Sequence, residues 1–121
     1  MHFTMAHTSL AVEDLERSRA FYEKALGLRF KGKKDLPHLT LIYMVDEEND
    51  AYELELTLRK GHEGGYALED NPVHLAFYVN DYAASLQLHQ ELGCVKRIVE
   101  SAGIYFISDP DGYEIEIMGK G

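Results

Sequence analysis

The chain contains a copy of itself. His7 is followed by Val12 five residues on and Asp14 seven residues on; His74 is followed by Val79 and Asp81 at the same spacings. Leu26-Gly27-Leu28 is answered by Leu92-Gly93-Cys94, and Tyr52-Glu53-Leu54-Glu55-Leu56 by Tyr113-Glu114-Ile115-Glu116-Ile117. Self-similarity at a period of about 60 residues constrains the fold more than any local propensity, because each copy must be one supersecondary unit.

Within each copy the local signals agree. In the first, Phe3 to Val12 reads as a strand. Asp14 is a helix N-cap, Leu15, Ser18, Tyr22, Ala25 and Leu26 recur at helical spacing, and Gly27 stands where a C-cap glycine belongs. Leu28 to Phe30 begins a strand, Lys31 to Asp35 reads as a polar turn, Leu39 to Val45 as a strand, Asp46 to Asp50 as an acidic turn and Tyr52 to Leu58 as the closing strand. In the second, Val73 to Val79 is a strand, Asp81 caps a helix running to about Leu92, and Gly93 ends it. Cys94 to Val99 and Ile104 to Ile107 are strands. The turn Asp109-Pro110-Asp111-Gly112, with Pro110 fixing φ and Gly112 open to a left-handed backbone, then launches the last strand from Tyr113.

Both halves therefore read β-α-β-β-β. The fold class expected is α+β, with a first module over 1–60, a connection over 61–71 carrying Gly61, Gly64 and Gly65, and a second module over 72–121. Strongly curved sheets with helices on their outer faces would leave a concave cleft.

Composition narrows the function classes. The 121 residues carry a formal net charge of −9, which argues against nucleic-acid or anionic-membrane binding. No apolar run approaches the roughly 20 residues of a membrane span. The N-terminus lacks a basic segment leading into an apolar one, so no signal peptide is expected. The lone cysteine, Cys94, excludes an internal disulfide, suits a reducing compartment such as the cytoplasm, and reads as a small buried side chain.

Strict alternation puts Tyr113, Ile115 and Ile117 on one face of the last strand and Glu114 and Glu116 on the other. A carboxylate on the inside of a curved sheet is costly unless paired or bound to a cation. The repeat matches His7 with His74 and Glu55 with Glu116, joining the first strand of each module to its last. Two imidazoles and two carboxylates suit a divalent transition metal. His2, His38, His62 and His89 lack a repeat partner and are expected at the surface. Glu53 and Glu114 share the inner face by period 2 and are expected at the sheet edge or paired with Arg59 or Lys120.

These residues carry a resemblance. His7-Thr8, Asp14 to Ser18 with Phe21-Tyr22 and Leu26-Gly27-Leu28, Glu55-Leu56-Thr57, His74 and Asp109 to Tyr113 with Glu116 together resemble glyoxalase I (lactoylglutathione lyase) of the vicinal-oxygen-chelate, or bleomycin-resistance and dioxygenase, superfamily. The resemblance implies tandem βαβββ modules around a metal cleft with His7, Glu55, His74 and Glu116 as ligands. It implies isomerisation of the methylglyoxal–glutathione hemithioacetal to S-lactoylglutathione through an enediolate, a methylglyoxal detoxification. Glu116 is the first candidate for the proton-carrying base, with Glu55 opposite it. It further implies a homodimer in which His7 and Glu55 of one subunit meet His74 and Glu116 of the other, with nickel or cobalt favoured and zinc, manganese or iron permitted by the donors.

The chain departs from the family pattern in its thiol-recognition shell. Ala11 stands where an arginine usually grips a glutathione carboxylate, Arg59 stands where an asparagine is expected, and the loop Glu100-Ser101-Ala102-Gly103 is short. Arg59, Lys60 and Arg97 are the candidates for replacement charge. The alternatives are a metalloenzyme of the same scaffold with another thiol or a vicinal-dioxygen substrate, or a non-catalytic drug-binding protein.

Overall fold

The computed structural model describes residues 1–2, 4–68 and 73–119. The chain divides into two compact units, Met1–Tyr66 and Ala67–Gly121.

The first unit runs β1 (His7–Ala11), α1 (Leu15–Leu26), β2 (Arg29–Asp35), β3 (Leu39–Val45), β4 (Glu53–Arg59), with sheet order β1-β4-β3-β2. β1 lies parallel to β4, and the other pairings are antiparallel. The second runs β5 (Leu75–Val79), α2 (Tyr82–Leu92), β6 (Val95–Val99), β7 (Ile104–Ser108), β8 (Glu114–Gly119), with order β5-β8-β7-β6 and β5 parallel to β8. The two units have the same topology, as the repeat requires.

Both helices have the ends expected from the sequence. Asp14 Oδ1 accepts from the Arg17 amide at 3.0 Å and Asp81 Oδ1 from the Ala84 amide at 3.1 Å, each meeting one of the free donors of a first turn. Gly27 and Gly93 close the helices at φ of 65° and 72°, values that favour glycine. Asp109 ties the turn before β8: its Oδ1 accepts from the amides of Asp111 at 2.9 Å and Tyr113 at 2.8 Å. Asp46 does the same before β4, accepting from Glu48 and Asn49 at 2.9 and 2.7 Å. Each strand that carries two glutamates is thus entered through a turn pinned by an aspartate.

Alternation sorts the two sheet faces. In the first unit Ile42, Met44, Leu54 and Leu56 are buried on the face opposite Glu53 and Glu55, where α1 contributes Leu15, Ser18, Tyr22 and Ala25. In the second, Tyr105, Ile107, Ile115 and Ile117 form the buried face.

Several expectations are corrected. Lys31 to Asp35 is not a turn: it continues β2, paired with β3 from Gly32 to Asp35. The polar run signals an edge strand, where exposed lysines keep a free sheet edge from pairing with another chain. β1 is shorter than the stretch from Phe3 to Val12, and Phe3 itself lies outside the described residues. His89 is not at the surface. It is 2% exposed, with Nδ1 2.6 Å from the Tyr105 hydroxyl, which Ser85 Oγ also meets at 2.7 Å. His89 does have a repeat partner: counted from the N-caps Asp14 and Asp81, it occupies the place of the buried Tyr22. The core position is shared while the chemistry is not, and a hydrogen bond to Tyr105 makes imidazole burial tolerable.

Tyr105→Phe keeps the ring and removes the hydroxyl that joins these groups. It is expected to cost about 1–3 kcal/mol, read as a lower denaturant midpoint with an unchanged m-value. Cys94 is half-buried rather than fully so; burial pushes its thiol up, and Sγ lies 3.6 Å from the His89 carbonyl.

Candidate metal centre

The repeat pairs His7 with Glu55 and His74 with Glu116, and each pair is a contact within its own unit. His7 Nε2 lies 3.8 Å from Glu55 Oε2, and His74 Nε2 lies 3.0 Å from Glu116 Oε1. The cause is the strand order: β1 beside β4 and β5 beside β8 place first and last strands side by side. Each imidazole meets an aromatic ring edge-on, His7 against Tyr43 with centroids 6.4 Å apart and His74 against Phe106 at 6.0 Å.

The spacings suit chelation. Two donors bound side by side on one divalent ion at about 2.1 Å each stand about 3.0–3.4 Å apart. The second pair already has that separation, and the first is within a small side-chain adjustment of it. Nitrogen and oxygen donors in equal number suit a first-row transition ion. Among the described residues no three His, Cys, Asp or Glu side chains gather as a metal site; these donors stand as one pair per unit.

The two carboxylates differ in setting. Glu55 is 9% exposed. Burial alone would push its carboxyl up, but hydrogen bonds from Tyr43, Ser9 and Thr57, together with His7, outweigh it and hold the group below the usual carboxylate range. The same contact pushes the Tyr43 hydroxyl up to about 12, chiefly because it is hydrogen-bonded to Glu55.

Glu53 and Glu114, expected to meet Arg59 or Lys120, have other partners. Lys31 Nζ is 2.6 Å from Glu53, and Lys96 Nζ is 3.0 Å from Glu114. Lys120 lies outside the described residues. The two lysines are equivalent: β2 shifts register between Phe30 and Gly32, and β6 between Val95 and Arg97, so each lysine is the extra residue of a bulge. The Lys96 hydrogen bond is the main reason that Glu114 is held below its ordinary range.

Of the cations singled out for substrate charge, Arg59 is exposed at the end of β4. Lys60 is ion-paired with Asp35 at 2.6 Å and donates to the Leu36 carbonyl at 2.7 Å. Arg97 lies 3.3 Å from Glu114, with its guanidinium 4.1 Å above the Phe106 ring. His38 and His62 are exposed, and His62 stacks on Tyr66. Sequence reasoning passed over Ser9, Tyr43 and the two bulge lysines. Period 2 places Ser9 on the same face as His7 and Thr57 on the same face as Glu55, so those two hydroxyls were within reach of that rule.

A duplicated β-α-β-β-β unit defines a class of fold, and comparison with known proteins agrees with it. The sequence profile of the Glyoxalase/Bleomycin resistance protein/Dioxygenase superfamily matches residues 4–117. The lactoylglutathione lyase of Neisseria meningitidis serogroup A is 35% identical over 96% of this chain and 90% of its own length. That of Haemophilus influenzae is 36% identical over 93% and 89%. Among solved structures, a trypanothione-dependent glyoxalase I from Leishmania major superposes with a TM-score of 0.86 at 31% identity, covering 98% of this chain and 87% of that one. The chain belongs to the glyoxalase/bleomycin resistance/dioxygenase superfamily and is a lyase of the glyoxalase I type. Among the described residues no helix is long and apolar enough to cross a membrane.

Proposed function

We propose that this chain is a metal-dependent lactoylglutathione lyase, a cytoplasmic homodimer that isomerises the methylglyoxal–glutathione hemithioacetal to S-lactoylglutathione. The observation that carries the reading is the pair of His–Glu contacts at corresponding places in the two units, at 3.8 and 3.0 Å. His7, Glu55, His74 and Glu116 would hold one divalent ion, nickel or cobalt by preference. The half-sites come together through dimerisation, His7 and Glu55 from one subunit and His74 and Glu116 from the other. When bound, such an ion supplies positive charge where the substrate's two neighbouring oxygens develop negative charge.

The chain's own residues do the rest. Glu116 takes the proton from the carbon beside the carbonyl, giving an enediolate, and returns it to the neighbouring carbon. Glu55, surrounded by hydroxyl donors, stays a carboxylate throughout. Without metal, His74 lies 3.0 Å from Glu116 and keeps its side chain at the site; with an ion bound, the two would be neighbouring ligands.

The test is protein loaded with nickel, cobalt or zinc and supplied with methylglyoxal and glutathione. S-Lactoylglutathione formed only by metal-loaded protein supports the reading; none formed with any of the three ions contradicts it in its strict form. A second reading keeps the metal and the proton transfer and changes the thiol. Ala11 offers no charge, Lys60 is engaged by Asp35, and Arg97 by Glu114. The similarity to a glyoxalase I described as trypanothione-dependent supports including thiols other than glutathione in the same assay.

A further inference from the structure

The two half-sites share strands, a His–Glu pair and an aromatic ring against the histidine, yet their carboxylates have different neighbours. Glu55 stands opposite Ser9 on β1 and Tyr43 on β3, with Thr57 two residues along β4. The register puts Ala76, Phe106 and Met118 at the corresponding three places around Glu116. One glutamate has a hydroxyl at every position where the other has an apolar side chain.

The hydroxyls form a connected set. Thr57 Oγ1 donates to Glu55 Oε1 at 3.4 Å and shares a hydrogen bond with Ser9 Oγ at 2.8 Å. Ser9 donates to Thr57 and so keeps the Thr57 proton on the carboxylate, while Tyr43 stands directly opposite Glu55 on β3. An ionised carboxylate only accepts, through two oxygens with about four lone-pair directions between them. Hydroxyls anchored on three different strands, β1, β3 and β4, flank the carboxylate and restrict its orientation. Ala76, Phe106 and Met118 impose no such restraint on Glu116, whose hydrogen bond comes from His74.

We infer that Ser9, Tyr43 and Thr57 are positioning residues, a hydroxyl cage that fixes the Glu55 carboxylate as a rigid metal ligand and makes the two otherwise repeated half-sites functionally unequal. The cage rests on the metal-lyase reading. It adds that duplication supplied two equivalent carboxylates, and that three hydroxyls on one sheet face separated their roles. Outer-shell partners of this kind orient a ligand before the ion arrives, which is why their loss is felt in affinity.

The experiment measures zinc and nickel affinity by competition with a chromophoric chelator, without substrate, for wild type, Tyr43→Phe, Ser9→Ala and the double variant. Thermal unfolding of each metal-free protein shows that it is folded. The double variant is expected to bind metal about 10–100-fold more weakly, with KM for the hemithioacetal unchanged at saturating metal. Phe106→Tyr supplies the complementary case: a hydroxyl placed opposite Glu116 is expected to lower kcat while metal affinity stays at or above that of wild type.

A folded double variant that keeps wild-type affinity within about twofold overturns the cage. So does a change confined to KM, which would make these hydroxyls substrate contacts instead. Wild type that binds no metal overturns the underlying reading as well, and does so before any variant is made. An inert glutathione adduct leaves the affinity comparison untouched, so the identity of the thiol and the role of the cage are tested separately.

Discussion

Glu116→Gln is expected to lower kcat by about 10²–10⁴-fold at saturating metal, the usual contribution of a positioned proton-transfer group. The amide has the shape of the carboxylate, so the place beside His74, 3.0 Å away in the metal-free chain, stays filled. The amide cannot take up a proton at neutral pH. Ala76, Phe106 and Met118 hold the three places around it on its own sheet, so no hydroxyl there can serve in its place. Glu55→Gln is the instructive contrast: its hydroxyl donors orient a ligand, and its principal effect is expected in metal affinity. The measurement is steady-state turnover of both variants over a metal titration. Glu116→Gln that turns over within a few-fold of wild type would move the proton to another group.

Ile115→Ala is expected to destabilise the protein by about 2–5 kcal/mol, the range for emptying a buried isoleucine site. Ile115 is fully buried, paired with Leu75 on β5 and Ile107 on β7, and sits between Glu114 and Glu116. Its side chain anchors the apolar face of β8, and alternation then presents the two glutamates on the other face. A cavity there loosens the strand that carries Glu116, so metal affinity is expected to fall together with stability. Chemical denaturation of the metal-free protein measures the first effect, and chelator competition the second. A loss below about 1 kcal/mol would mean that the surrounding side chains close over the cavity far more fully than in most cores.

The repeat made the topology legible, because a duplicated pattern restricts the solutions to a duplicated unit. Helix ends were legible for a local reason. Asp14, Gly27, Asp81 and Gly93 do the same work in any tertiary setting, meeting free backbone groups or accepting a left-handed backbone. β2 was not, because Lys31 to Asp35 has the composition of a turn, and only its place at a sheet edge makes four charged residues and a glycine compatible with a strand.

The His–Glu pairs were readable from duplication alone, since corresponding residues in corresponding strands must meet alike. His89 was misplaced for the converse reason: its counterpart is Tyr22, and a tyrosine–histidine correspondence is invisible to a search for identical chemistry. The Tyr43 hydroxyl was out of reach because its place depends on the register of β3 against β4. Nothing local to Tyr43 says that it stands opposite Glu55 rather than one residue to either side. The same holds for Lys31 and Lys96, whose ion pairs with Glu53 and Glu114 follow from bulges that no local propensity announces.

The proposed centre is a single metal ion held by two half-sites, one from each repeat. Its most direct test is metal stoichiometry, measured by titration and elemental analysis on wild type, His7→Ala and His74→Ala. Wild type is expected to take up one divalent ion per chain, and each single variant to lose most of it, because neither unit holds the ion tightly with two donors. Wild-type stoichiometry and affinity retained in either variant would mean that the metal is held elsewhere, and that the paired histidines and glutamates are a feature of the fold alone.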